Sequence, residues 1–197
     1  MTIQTTKKSC LLLICLLLVF GPGASGQTSP PQSAITVHVY KTGLFSGLAH
    51  NHTVRAPIAR AVVDTGAMSV EIVVQTHDLK VIDSEVSDST RAEIQTTMLG
   101  PAVLDSGKYA EIRFKSSRIE AKGPQHYAVT GTLELHGVSR TITFAATGGP
   151  DRYTGRVKIN QTDYAIKPVS SAGGTIKVKN ELDLDFDISA SEFAPKK

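Results

Sequence analysis

From Ile35 to Ile188 apolar and polar residues alternate with a period of two, which restricts most of this chain to half-buried β-strands. The last run is the cleanest: Leu182, Leu184, Phe186 and Ile188 face one way, and Asp183, Asp185 and Asp187 the other. The same alternation marks Ile35-Val37-Val39 and the run from Met68 to Val74. It sets Ile112 and Phe114 against Arg113 and Lys115, and Val129, Gly131, Leu133 and Leu135 against Thr130, Thr132 and Glu134. Ile142 and Phe144, then Val157 and Ile159, continue it. Turn-forming residues (Gly66, Gly123-Pro124, Gly137, Gly148-Gly149-Pro150, Gly173-Gly174) separate the runs at hairpin spacing. Links that short force antiparallel pairing, because a parallel connection needs a long crossover. About eight such strands fit either a sandwich or a closed barrel. Closure removes the sheet edges that seed aggregation, and an eight-stranded barrel can hold one small apolar ligand.

One segment departs from the alternation. Ser87 to Leu99 carries helix formers without internal Gly or Pro; Ser87 or Asp88 can cap its start and Gly100-Pro101 stops it. Ile94, Met98 and Leu99 give it one apolar stripe, which predicts a helix lying over the barrel or one of its ends. A shorter helical turn is expected near Gly43 to Leu48.

The N-terminus reads as an export signal. Lys7 and Lys8 precede an apolar run from Cys10 to Phe20, Gly21-Pro22-Gly23 breaks it, and Ala24-Ser25-Gly26 offers a small-x-small cleavage pattern. The run is too short for a permanent membrane span. Bulky Ile14 before Cys15 disfavours lipid attachment. The expected organisation is a signal peptide over 1–26, a flexible Pro/Ser-rich lead-in over 27–33, a barrel domain over 34–190 and a C-terminal tail over 191–197. The mature protein is expected in the periplasm or outside the cell. Both cysteines, Cys10 and Cys15, leave with the signal, which excludes disulfides, cysteine-ligated metals and a thiol nucleophile. Losing Lys7 and Lys8 takes the 21 basic side chains to 19, against 18 acidic ones. That balance, with Lys108, Arg113, Lys115, Arg118 and Lys122 read as the ordinary solvation of one hairpin arm, argues against nucleic acid as a partner.

Two stretches carry a family resemblance. They are Leu104-Asp105-Ser106-Gly107-Lys108-Tyr109-Ala110-Glu111-Ile112-Arg113-Phe114-Lys115-Ser116, and Gly131-Thr132-Leu133-Glu134-Leu135-His136-Gly137-Val138-Ser139-Arg140 with the β-run from Thr141 to Ala145. In this order they resemble the YceI-like family of polyisoprenoid-binding proteins, over roughly Ala34 to Ala190. The resemblance implies an all-β, antiparallel, lipocalin-like eight-stranded barrel with one covering α-helix, exported, and holding a long isoprenoid or similar lipid tail. Arg91 matches the arginine that opens the family's helix, and Asp163-Tyr164-Ala165-Ile166 resembles its Asp-Phe-Gly-Ile segment. This chain departs in having Gln161 where the family commonly has Arg, Ala165 where it has Gly, and a His-x-His element at His50-Asn51-His52. It reads as a divergent branch.

On this reading the inward residues Ile112, Phe114, Leu133, Leu135, Ile142, Phe144, Val157, Ile159, Leu182, Leu184 and Phe186 line the ligand space. With no Trp, six Phe and five Tyr, an interior built mainly of aliphatic residues and glycine leaves room for a tail, each buried methylene contributing about 0.8 kcal/mol. His50, His52 and Arg91 are expected at a polar mouth, meeting the headgroup of an amphipathic isoprenoid, quinone or similar lipid. The alternative gives His50 and His52, two apart on one strand face, to a metal ion, with a third ligand supplied by His38, His77, His136 or a carboxylate. A third reading is an accessory protein that meets a membrane redox partner, with a quinone as its lipid. Transient membrane contact and a homodimer are compatible with such a carrier. Asp183, Asp185 and Asp187 read as a solvated strand face instead of a calcium loop. His136 reads as a turn residue bonded locally, beside a Gly137 that supplies positive φ. No nucleophile elbow, phosphate-binding loop or zinc-protease motif occurs, so the expectation is a binding protein, not an enzyme, with no cofactor.

Overall fold

Hairpin-length links join most of the strands, and every pairing between them is antiparallel. The computed structural model describes residues 32–43, 51–171 and 176–193. In chain order the strands are β1 (Ala34–Thr42), β2 (His52–Pro57), β3 (Arg60–Asp64), β4 (Ser69–Gln75), β5 (Lys80–Val81), β6 (Glu111–Gly123), β7 (His126–Leu135), β8 (Val138–Gly149), β9 (Arg152–Asn160), β10 (Ser170–Ser171) and β11 (Ile176–Ser189). They make one curled sheet in the order β3-β4-β6-β7-β8-β9-β11-β1-β2-β5, with β10 on β11. The helix α1 (Asp88–Leu99) lies between β5 and β6 in sequence. The helical turn expected near Gly43 to Leu48, the signal peptide and most of the lead-in and tail lie outside the described residues.

Among the described residues eleven strands stand where eight were expected. β5 and β10 are two residues each, and β2 and β3 are one run bent at Ile58-Ala59. Pro57 and the small residues around the bend blur the alternation there, which is why this run escaped the period-two reading. The bend brings the two ends of the sheet together. β2 pairs with β1 and β3 with β4. At the corner Ile58 N–H donates to Ser33 O (3.2 Å) and Ala59 N–H to Val73 O (2.9 Å), so consecutive amides bond to opposite ends of the sheet.

The strand faces sort as the alternation requires. On the outside, Arg156 makes a bidentate pair with Asp185 (2.6 and 3.0 Å), and His38 Nε2 stands 2.9 Å from the same carboxylate. Arg152 pairs with Asp187, and Lys158 reaches Glu181 (2.7 Å) and Asp183 (3.4 Å). The three aspartates of β11 are thus matched by cations of β9 across the ladder. Inside, Phe144 packs between Phe114 (centroids 5.4 Å) and Phe186 (5.5 Å). Two glycines make room for these rings. A Cβ on Gly131 would lie 2.5 Å from both the Phe114 ring and Lys115 O, and one on Gly155 would lie 2.5 Å from Ala145 O and against Phe186. A strand glycine here marks a ring lying flat over the backbone.

Ser87 caps α1, its Oγ accepting from Thr90 N–H (3.2 Å), and Gly100 ends it. None of its side chains is fully buried, yet Ile94, Met98 and Leu99 pack on the core. Gln95 fastens the helix to the sheet, its Nε2 donating to Leu79 O (2.7 Å) and its Oε1 accepting from Val81 N–H (2.8 Å). The expected covering helix is therefore in place.

Candidate functional site

Two cavities lie among the described residues of the interior. The larger, about 570 Å³, lies under α1 and is lined by Ile35, Val37 and Val39 of β1, His52, Val54 and Ala56 of β2, and Glu93, Ile94, Thr97 and Met98 of the helix, with aliphatic residues of β6, β7, β9 and β11. The smaller, about 210 Å³, lies toward the β3–β4 hairpin, where Asp64, Thr65, Met68 and Ser69 meet Tyr127 and Tyr153. Ile35, Leu133 and Leu184 line both. Along β11 the order is legible: Leu182 lines the larger cavity, Leu184 both, and Phe186 and Ile188 the smaller. The two cavities are thus neighbours that share a wall at Ile35, Leu133 and Leu184, with the Phe114, Phe144 and Phe186 cluster on the side of the smaller one.

The eleven apolar residues named from the sequence all lie on these walls. Ile112, Leu135, Ile159 and Leu182 line the larger cavity; Phe114, Ile142, Phe144, Val157 and Phe186 the smaller; Leu133 and Leu184 both. The alternation could not reveal the contribution of α1 and of β2, whose Val54 and Ala56 are buried. Nor did it mark Gln161, which is buried in the 3₁₀ turn Gln161–Tyr164, lines the larger cavity and donates from Nε2 to Lys179 O (2.8 Å). Its nearest signal was its place beside the Asp163-Tyr164-Ala165-Ile166 segment.

The expected mouth residues part company. His52 lines the larger cavity, and its Nδ1 stands 2.7 Å from Oδ2 of buried Asp83. Oδ1 of Asp83 accepts from Thr53 N–H (2.6 Å), so one carboxylate orients the imidazole and ends the backbone ladder of β2. Asp83 escaped notice because a single Asp in a loop carries no pattern. Arg91 lines neither cavity: it turns back to the first helical turn, donating to Val86 O (3.3 Å) and to Asp88 (2.8 Å). His50 lies outside the described residues. Among the described residues no three His, Cys, Asp or Glu side chains group closely enough to hold a metal ion. Of the other histidines, His38 faces outward to Asp185, and His77 stands 3.3 Å from Asp78.

His136 corrects the expectation of a local bond. With Gly137 it forms a two-residue turn, both at positive φ (52° and 73°), the signature of a type I′ hairpin. Its Nδ1, however, bonds Tyr164 O (3.1 Å), and its ring packs at a tilt against Tyr109 (centroids 4.4 Å, 57° between planes). The turn projects the imidazole across to the 3₁₀ segment, where it ties β7–β8 to the end of β9.

Similarity to known proteins follows the same architecture. A UPF0312 protein of Vibrio campbellii is 32% identical over 102 residues, 47% of this chain and 54% of that protein. A UPF0312 protein of Vibrio parahaemolyticus is 41% identical over 66 residues, 34% of this chain and 35% of that protein. The chain therefore matches about a third to a half of the length of these curated relatives. BcnA of Burkholderia cenocepacia superposes with a TM-score of 0.55 at 16% identity, covering 79% of this chain and 94% of that one. A polyisoprenoid binding domain from Saccharophagus degradans gives 0.52 at 12%, over the same shares. At such identities these two likenesses speak for the fold. Residues 27–190 match the YceI-like domain, and with the curled antiparallel barrel and its covering helix this chain belongs to the YceI-like family.

Proposed function

We propose that this protein is an exported carrier that houses the apolar tail of an amphipathic lipid, of isoprenoid or quinone type, in the cavity beneath α1. The observation that carries this reading is the larger cavity itself: about 570 Å³, with only His52, Glu93, Thr97 and Gln161 polar among its described lining residues. That volume falls within the range of small-molecule sites, roughly 300–1,000 Å³, and so does the ratio of many apolar walls to a few polar groups. The four polar side chains are suited to meet a headgroup while the tail extends toward Leu133 and Leu184. The solved polyisoprenoid binding domain of the same fold supports the ligand class. Binding and shielding, not turnover, is the activity such a site suits.

Export would follow from residues 1–26 acting as a signal, with cleavage after Gly26; intact-mass measurement of the secreted or periplasmic protein should give a chain starting at Gln27. For the ligand, protein purified from its own periplasm is extracted with organic solvent and the extract read by mass spectrometry. A lipid with a prenyl tail near one equivalent per protein is expected. An empty extract, together with no saturable uptake of a prenyl alcohol or quinone by the delipidated protein, would remove this reading.

A further inference from the structure

We propose that the larger cavity takes a lipid with an uncharged hydroxyl headgroup, a prenyl alcohol or phenol, and discriminates against the phosphorylated form of the same chain. This rests on the lipid-carrier reading above and adds the class of headgroup.

The first observation is the charge of the walls. Among the described residues no lysine or arginine lines either cavity. A phosphate headgroup is ordinarily held by arginine forks, lysines or a helix N-terminus. Here Arg91 lines neither cavity and turns its Nη2 to Val86 O and Asp88, its Nε being buried without a hydrogen-bond partner, and the N-terminus of α1 is capped by Ser87. The helix instead lends the cavity Glu93, Ile94, Thr97 and Met98, the last two in its C-terminal turn, where the backbone dipole disfavours an anion. The one carboxylate on that wall, Glu93, is exposed and has no ion-pair partner among the described residues, so a phosphate would enter past a negative charge.

The second observation is the state of His52. The buried carboxylate of Asp83 can only accept, so Nδ1 carries the proton and donates to it. In the neutral ring Nε2 then presents a lone pair, and it has no partner among the described residues. Such a nitrogen accepts from a hydroxyl. A fully ionised phosphate has no proton to offer it and would need the ring doubly protonated. Thr97 and Gln161 add side chains that bond an uncharged oxygen without requiring charge.

The test compares geranylgeraniol with geranylgeranyl monophosphate, each displacing a fluorescent lipid probe from the delipidated full-length protein near neutral pH. The alcohol should bind at least tenfold more tightly. Glu93→Lys should tighten binding of the monophosphate by tenfold or more, and His52→Phe should weaken the alcohol several-fold. Since His52 and Asp83 also support the end of β2, thermal melting of each variant is checked, and the wild-type comparison stands without them. A monophosphate that binds within tenfold of the alcohol, or better, overturns this inference and leaves the carrier reading standing. If neither ligand displaces the probe, the carrier reading itself fails.

Discussion

Ala165 sits at φ 57°, ψ 21°, in the left-handed region, directly after the 3₁₀ turn Gln161–Tyr164. A side chain there costs about 1–2 kcal/mol, which glycine avoids. The resembling family carries glycine at this position, and the backbone shows why: the chain must reverse so that Tyr164 and Ile166 both reach the core, at 1% and 3% exposure. Ala165→Gly should therefore stabilise the protein, by roughly 0.5–1 kcal/mol once glycine's greater freedom in the unfolded chain is subtracted. A urea midpoint shifted upward at constant slope is the expected result; a downward shift would falsify the assignment of strain. The same conformational logic explains His136 and Gly137, where two consecutive positive φ values turn β7 into β8 and aim an imidazole at Tyr164 O.

At the scale of elements, α1 is held as much by one polar side chain as by its apolar stripe. Ile94 and Met98 cover the cavity and Leu99 packs on the core, but Gln95 supplies both a donor and an acceptor to the 79–81 segment. Gln95→Ala would leave Leu79 O and Val81 N–H without those partners, at a cost of about 1–3 kcal/mol. Hydrogen exchange should quicken in residues 80–81 and 88–99 while β7 and β8 keep their protection. The outer ladder between β9 and β11 makes a different prediction. Hydrogen bonds from Arg156, and secondarily from His38, hold the Asp185 carboxyl below the usual carboxylate range. A carboxyl whose folded value is depressed stabilises the fold fully above its unfolded value, and the contribution disappears as pH falls through the folded one. Melting temperature should therefore drop on acidification below about pH 4, and Asp185→Asn should flatten that acid limb while lowering stability modestly at pH 7. An acid limb as steep in the variant as in the parent would assign the loss to other groups, Glu111 and Glu120 foremost. Their carboxyls are also held low, by Gln75 and Arg113 and by Lys122 and Arg118 respectively.

For the molecule as a whole, the central fact is that the barrel does not fill itself. Aliphatic walls and the absence of Trp leave about 570 Å³ under the helix, while Phe114 and Phe186, seated over Gly131 and Gly155, and Phe144 between them crowd the other half. A binding cavity left open forgoes packing contacts that would otherwise stabilise the fold. Val37→Phe projects a ring into that space from β1, whose Val37 faces Leu184 across the ladder. It should abolish lipid uptake and leave the melting temperature of the lipid-free protein unchanged or higher. Loss of uptake accompanied by a large fall in stability would mean the space is needed for folding and not for a guest.

Alternation by itself decided the antiparallel strands, their inward residues and the outward aspartates, because a period of two leaves each side chain only two faces to choose between. The helix was equally legible, from its cap, its stripe and the Gly-Pro stop. Tertiary structure alone decided how the sheet closes, since the bend at Ile58-Ala59 acts by meeting Ser33 and Val73, partners that local sequence does not specify. It also decided which polar groups reach the cavity. Arg91 had the right residue type and turned away to Asp88, whereas Asp83, Glu93 and Gln161 carried no motif and yet stand at or behind the wall. Periodicity records which face a side chain takes; only folding, which brings residues dozens of positions apart to hydrogen-bonding distance, settles what that side chain meets.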